Sequence, residues 1–280
     1  MHKVAYLGPE KTNTHIAARR KFGAHARYIP CGTVEEVFQA VERKKVDFGV
    51  VAIENSLEGA VTHTLDRFIG FEESPLKIYG EIDESINHYL MMSPQTSIEK
   101  IRVVYSHPSA LEQCREWLST SCPSATSWET NSTAKAIEYL FNRKERLFPI
   151  RERAAIGRLE LAEEHRLKAI PISIDQENRT RFLILSLQGN VKIGRRTKTS
   201  LMCALSDKPG ALYDALRPFK RYKINLTKIE SRPSKKKAWE YIFFIDFEGH
   251  KTELRVKKAL KSLEKSTSSL KVLGSYPTGS

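Results

Sequence analysis

The sequence lacks most of the residue patterns that would mark a simple class. Its four cysteines (Cys31, Cys114, Cys122 and Cys203) are scattered over 280 residues, with no Cys-x-x-Cys pair and no paired histidines to complete a zinc site. That excludes a disulfide-framed secreted scaffold and reads as reduced thiols in a cytoplasmic protein. No apolar run approaches the roughly 20 residues that span a bilayer. The first residues, Met1-His2-Lys3-Val4-Ala5-Tyr6-Leu7, enter a strand pattern directly and read as lacking a cleavable signal. The nucleophile elbow Gly-x-Ser-x-Gly is absent, and no metal, nicotinamide or phosphate site is visible, so no cofactor is expected. Acidic residues are the minority charge, 33 Asp and Glu against 46 Lys and Arg, for a net charge of +13. The basic residues fall in short dispersed runs such as Arg19-Arg20-Lys21 and Lys257-Lys258, without interleaved aromatics. That argues against a nucleic-acid binder and suits a small anionic partner.

What is present alternates between strand and helix patterns. Residues 4–7 form an apolar run ending at Gly8-Pro9. Thr12 or Thr14 can cap a helix to Phe22, and Gly23 suits its end. Thr33-Val34-Glu35-Glu36 is a capping box before the one-faced pattern Val34, Val37, Phe38, Val41. Residues 46–53 suit a central strand buried on both faces, and residues 78–82, 86–92, 101–105 and 169–174 suit further strands. A helix is expected through Leu111, Cys114 and Leu118, and another from Asn131-Ser132-Thr133 to Phe141. The alternation indicates an α/β domain over residues 1–189, a basic linker over 190–198, and a second domain over 199–280. In the second, the order strand, helix, strand, strand, helix, strand indicates a ferredoxin-like βαββαβ unit.

Three polar stretches stand at the mouths of buried strands. Gln176-Glu177-Asn178-Arg179-Thr180-Arg181-Phe182 offers a hydroxyl, amides and guanidinium groups suited to an anionic, oxygen-rich ligand, or simply connects two strands. Glu54-Asn55-Ser56 follows the central strand, where open α/β sheets place ligands. Asn55 and Ser56 serve either a ligand or a helix cap. Ser106-His107-Pro108-Ser109 ends another strand, and Ser106 reads as a ligand donor or cap rather than a nucleophile.

Taken together these stretches resemble prephenate dehydratase with its regulatory ACT domain, over essentially the whole chain. The resemblance rests on Tyr6-Leu7-Gly8-Pro9-Glu10, Ile53-Glu54-Asn55-Ser56 with Gly59, Tyr105-Ser106-His107-Pro108, Asn178 and Thr180-Arg181-Phe182. In the second domain it rests on Lys208-Pro209-Gly210-Ala211-Leu212, Asn225 through Pro233, and Trp239-Glu240-Tyr241. It implies a two-lobed catalytic domain like type II periplasmic binding proteins, with the active site between the lobes. It further implies the decarboxylating dehydration of prephenate to phenylpyruvate in phenylalanine biosynthesis, with feedback by L-phenylalanine. The resemblance assigns Thr180 to catalysis. It places Asn55, Ser106 and Gln113 in the substrate site, where Ser56, Asn178, Phe182 and Thr12 are expected to join them, and Arg181 facing the substrate carboxylates or holding the site together. Gly210, Ala211, Leu212, Glu230, Ser231, Arg232 and Pro233 are the expected effector residues, in a site shared by paired ACT domains. Lys11, Thr12, Asn13 and Thr14 stand where the family usually has Gly-Thr-aromatic-Ser, and Lys11 would add a cationic contact to substrate. Rival readings are an arogenate dehydratase, a decarboxylase that stops short of the aromatic ring, and a non-catalytic phenylalanine sensor.

Overall fold

The computed structural model describes residues 1–70, 74–142, 147–173, 177–189, 196–234 and 240–278. A first lobe contains β1 (Lys3–Leu7), α1 (Asn13–Phe22), β2 (Arg27–Cys31), α2 (Val34–Glu42), β3 (Phe48–Asn55), the short β4 (Gly59–Ala60), α3 (Thr62–Gly70) and β5 (Lys77–Ser85). The chain then crosses into a second lobe of β6 (Tyr89–Met92), β7 (Val103–Ser106), α4 (Pro108–Gln113), α5 (Arg115–Ser121), β8 (Thr126–Glu129), α6 (Thr133–Phe141), β9 (Arg153–Gly157), α7 (Leu159–Glu164) and β10 (Lys168–Pro171). It returns to the first sheet as β11 (Arg179–Ser186). A third unit follows: β12 (Thr197–Ala204), α8 (Ala211–Arg221), β13 (Leu226–Pro233), β14 (Tyr241–Glu248), α9 (Leu254–Glu264) and β15 (Ser269–Pro277).

The first sheet runs β2-β1-β3-β11-β5 with β4 on β3, the second β10-β6-β9-β7-β8, and the third β13-β14-β12-β15. β11 is antiparallel to both its neighbours, β3 and β5, because it enters the sheet from the other lobe. The two crossing segments bond to each other, Ile86 N donating to Asn178 O at 2.8 Å and Ile172 N to His88 O at 2.9 Å. This is the expected two-lobed architecture of type II periplasmic binding proteins, followed by a ferredoxin-like unit.

Local sequence explains where the elements start. Thr12, Thr33 and Ser132 cap α1, α2 and α6, their hydroxyls accepting from His15 N, Glu36 N and Lys135 N. Each satisfies a backbone donor the helix cannot. β3 and β11 are apolar on both faces. Val50, Phe182 and Ile184 pack with Val4, Tyr6 and α1, while Val51, Ile53, Leu183 and Leu185 pack with α2, α3 and the third sheet. Each such side chain contributes about 1.5–3 kcal/mol of burial. The third sheet therefore covers the back of the first. Gly274 of β15 lies so close to Ile78 of β5 that a Cβ there would overlap the Ile78 carbonyl.

Several expectations need correction. The helix through residues 111–118 is broken at Cys114, whose backbone (φ −97°, ψ 3°) separates α4 from α5. The strand expected over 86–92 begins only at Tyr89, because residues 86–88 form the crossing. β8 was not expected; its four residues are all exposed and carry no apolar alternation. β12 begins inside the expected linker, and residues 190–195 of that linker lie outside the described residues, as do Ile174, Gln176 and Trp239. No described helix is long and apolar enough to cross a membrane.

Candidate active site

The site is built on two adjoining strands. Thr180 pairs with Asn55 across β11 and β3, at the end where both strands meet the lobe crossing. Asn55 Nδ2 donates to Thr180 Oγ1 at 2.9 Å and to Asn178 Oδ1 at 2.8 Å. Its own Oδ1 accepts from Leu57 N and Glu58 N at 2.9 and 3.1 Å, which fixes the amide's orientation through the turn after β3. Thr180 Oγ1 thus receives a hydrogen bond, and among the described residues no acceptor takes its proton. Thr180 and the neighbouring Phe182 both face the cleft.

The second lobe continues the chain of amides. Asn178 Nδ2 donates to Gln113 Oε1 at 2.7 Å, and Gln113 Nε2 donates to Glu58 of the first lobe. Gln113 Oε1 also accepts from His88 Nε2 at 2.8 Å. Burial holds the His88 imidazole below its ordinary 6.5, reinforced by the Arg158 charge and opposed by the bond to Gln113. A neutral ring with its proton on Nε2 fits that bond. Glu58, Gln113, Asn178, Asn55 and Thr180 therefore form one hydrogen-bonded line from the cleft's rim to its floor.

The cleft holds about 590 Å³ and none of its described lining residues is Lys or Arg. The starts of α1 (Thr12, Asn13, Thr14), α3 (Thr62, His63), α4 (His107, Ser109) and α6 (Ser132, Thr133) all open onto it. Helix N-termini present unpaired N–H groups and the positive end of the dipole, which favours anions. Among the described residues no cluster of three or more His, Cys, Asp or Glu could hold a metal.

Of the residues singled out from sequence, the structure brings Asn55, Gln113, Asn178, Thr180, Phe182 and Thr12 to this cleft. Thr12 is already committed to capping α1. Four others stand elsewhere. Ser106 is fully buried and donates to Ile156 O at 2.9 Å, joining β7 to β9 rather than meeting a ligand. Ser56 Oγ donates to Glu177 O and accepts from Arg179 N, closing the β3–β11 mouth from outside. Lys11 keeps a positive φ of 66° despite its side chain, and its ammonium pairs with Glu164 of the second lobe, not with the cleft. Arg181 faces away from Thr180: alternation along β11 turns it to the back of the sheet, against Glu54, Glu81 and Asp246. Of its two expected roles, contact with substrate is not what the structure shows.

In the third unit, Gly210 (φ 81°) caps α8 in a left-handed conformation, and Ala211 and Leu212 open the helix. Glu230, Ser231, Arg232 and Pro233 belong to the edge strand β13. The Arg232 guanidinium also pairs with Asp66 of α3 at 3.0 Å. Sequence reading missed His88, Glu58 and the helix-end residues His63 and Ser132. For His88 a signal existed: the polar Asn87-His88 interrupts an otherwise apolar run.

Comparison with known proteins gives a consistent set of likenesses. The family model described as prephenate dehydratase matches residues 4–190, and that described as the ACT domain matches residues 199–265. A bifunctional chorismate mutase/prephenate dehydratase of Aquifex aeolicus is 49% identical over 278 residues, covering 98% of this chain and 73% of that protein. The prephenate dehydratase of Bacillus subtilis is 34% identical over 286 residues, covering 98% of each. Among solved structures, the prephenate dehydratase of Arthrobacter aurescens in complex with L-Phe superposes with a TM-score of 0.87 at 33% identity, covering 98% of this chain and 89% of that one.

Proposed function

We propose a division of labour within the cleft, on the premise that the chain belongs to the prephenate dehydratase family. The reaction is the decarboxylating dehydration of prephenate to phenylpyruvate, a hydro-lyase activity. As the ring carboxylate leaves as carbon dioxide, its C–C electron pair completes the aromatic ring and the ring C–O bond breaks. The departing oxygen leaves as hydroxide and takes up a proton to become water.

Thr180 is the donor to that departing oxygen. The observation that carries this reading is the bond from Asn55 Nδ2 to Thr180 Oγ1, which leaves the threonine proton to be offered into the cleft. A threonine hydroxyl is too weak an acid to protonate outright. A fixed donor aimed at developing negative charge stabilises the transition state without reorganisation. The helix N-termini hold the dianionic substrate, with Asn178 and Gln113 orienting it. The lack of Lys or Arg among the described lining residues has its own logic. A fixed cation against the ring carboxylate would stabilise the ground state and oppose loss of that charge as carbon dioxide.

The domain division follows the sequence reading: 1–189 catalytic, 190–198 linker, 199–280 ACT, supported by a third sheet with its own helices and core. L-phenylalanine acts as effector at Gly210, Ala211 and Leu212. Self-association through the ACT domain is supported by the open edge of β13 and by the exposure of Leu212, Tyr213, Ile229 and Tyr241. A cytoplasmic setting is supported by four free cysteines, with the buried Cys114 and Cys203 thiols pushed up to about 12 by desolvation.

The test is phenylpyruvate formation from prephenate by wild type and Thr180→Val, each with and without L-phenylalanine. Turnover by wild type, its loss in the variant and inhibition by L-phenylalanine are expected. A folded Thr180→Val enzyme with wild-type kcat sinks the catalytic assignment, and binding of L-phenylalanine without any turnover by wild type would favour a sensor.

A further inference from the structure

Behind the active site, on the opposite face of the same two strands, lies a buried ion network shared between domains. Arg181 Nε donates to Glu54 Oε1 at 2.6 Å, one Nη to Glu81 Oε2 at 3.0 Å and the other to Asp246 Oδ2 at 2.7 Å. Lys228 pairs with Glu54, and Lys198 bonds both oxygens of Glu81 at 3.0 and 2.9 Å. Among the described residues, three cations face three carboxylates. Arg181, Glu81 and Asp246 keep only 10%, 5% and 9% of their side-chain surface exposed.

The membership of this network is informative. Arg181, Glu54 and Glu81 come from β11, β3 and β5 of the catalytic domain; Asp246, Lys198 and Lys228 come from β14, β12 and β13 of the ACT sheet. Arg181 is the chain neighbour of Thr180, and Glu54 is the chain neighbour of Asn55. Both pairs stand opposite each other in register, Thr180 with Asn55 and Arg181 with Glu54. The pairing then slips, because β3 carries one extra residue before Phe182 is met. A bulge at that point couples strand twist to side-chain direction. Successive residues of a strand point to opposite faces, so whatever rotates Arg181 and Glu54 on the back rotates Thr180 and Asn55 on the front.

We propose that Asp246 of the ACT domain is a positioning residue of the active site, acting through Arg181 and Glu54 to set the orientation of Thr180 and Asn55. The inference rests on the reading of the Thr180 hydroxyl as the donor. A buried guanidinium that loses one of three carboxylates is left under-compensated and re-seeks partners, displacing its strand. The ACT domain is thereby a structural part of the catalytic constellation and not only an appended sensor. A change in how it sits on the catalytic domain is passed to the hydroxyl through Arg181, with Lys228 bearing on Glu54 beside it.

The test compares Asp246→Asn, Lys228→Met, Arg181→Gln and the double variant Asp246→Asn/Arg181→Gln in the full chain, measuring kcat, KM and thermal midpoint. Small misplacement of a catalytic group lowers rate far more than binding, so Asp246→Asn should cut kcat about tenfold with KM within about threefold. Lys228→Met, which removes the second cation on Glu54, should lower kcat in the same direction and by less. The double variant should lose no more kcat than Arg181→Gln alone, since both act through one element. A folded Asp246→Asn enzyme with wild-type kcat, or losses that multiply in the double variant, overturns the proposal. Should Asp246→Asn fail to fold, Asp246→Glu, which keeps the charge and displaces it by one methylene, decides by the same kcat criterion. Failure of the hydroxyl reading shows separately, as wild-type turnover in Thr180→Val. A kcat loss in Asp246→Asn would then still place the network behind the active site.

Discussion

Asn55 Nδ2 donates to Thr180 Oγ1 at 2.9 Å, and the direction of that bond fixes what the threonine can do. Because Asn55 Oδ1 is held by Leu57 N and Glu58 N, the amide cannot turn over to accept instead. The hydroxyl oxygen accepts one bond, and its proton is left for the cleft.

Replacing Asn55 by Asp tests that polarity at nearly constant volume. A carboxylate at this position accepts where the amide donated, so it would draw the Thr180 proton back from the cleft. Loss of one oriented donor in an active site costs about 10²–10³ in kcat. Asn55→Asp should fall in that range while retaining the Leu57 and Glu58 turn bonds, with a lowered thermal midpoint because its carboxylate also meets the acceptors Asn178 Oδ1 and Arg179 O. Measured kcat close to wild type would show that the donor direction is immaterial.

Ser106→Ala separates a structural serine from a substrate ligand. The hydroxyl is spent on the Ile156 carbonyl inside the second lobe. Its removal leaves a buried acceptor one bond short, a penalty of about 1–3 kcal/mol. Urea denaturation should therefore show a lower midpoint, with KM for prephenate unchanged. A raised KM with unchanged stability would return Ser106 to the substrate site.

The contrast between Ser106 and Thr180 shows what the sequence could reveal. Element order and caps were legible because they are local: Thr12, Thr33 and Ser132 announce helices with their own side chains. The position of Thr180 at a strand mouth was legible for the same reason. Which way a strand residue points was not, since alternation needs a register, and β11 takes its register from β3, more than a hundred residues earlier. Arg181 beside Thr180 therefore looked equally suited to the substrate. Its partners Glu54, Glu81 and Asp246 come from three distant strands that no local pattern associates. The gathering of helix starts around the cleft was hidden likewise, because α1, α3, α4 and α6 are brought together only by the fold.

Lys11→Ala addresses the first-lobe loop. The ammonium pairs with Glu164 across the mouth between lobes, and both side chains are more than 40% exposed. Such a pair contributes about 0–1 kcal/mol and is screened by salt. KM for prephenate should stay within error of wild type, with at most a small loss of stability at low ionic strength. A several-fold rise in KM would show that Lys11 leaves Glu164 to meet the substrate.

The pH dependence of stability follows from His88. Burial lowers its imidazole below 6.5, so the folded state binds this proton less readily than the unfolded chain. Between the two values the unfolded state carries more protons, and stability there rises with pH. The His88 contribution is fully present above 6.5 and is lost as pH falls from 6.5 through the lower folded value. Charging the ring would also place a cation inside the amide line that orients Asn178 and Thr180, so kcat should decline over the same interval. His88→Gln keeps a donor toward Gln113 and cannot titrate. Its unfolding free energy, measured one unit above and one unit below 6.5, should change less than that of wild type. Equal pH slopes in the two proteins would assign the acid sensitivity to other groups. Burial opposes ionisation of Glu54, and Arg181 and Lys228 overcome it, holding its carboxyl below the usual carboxylate value.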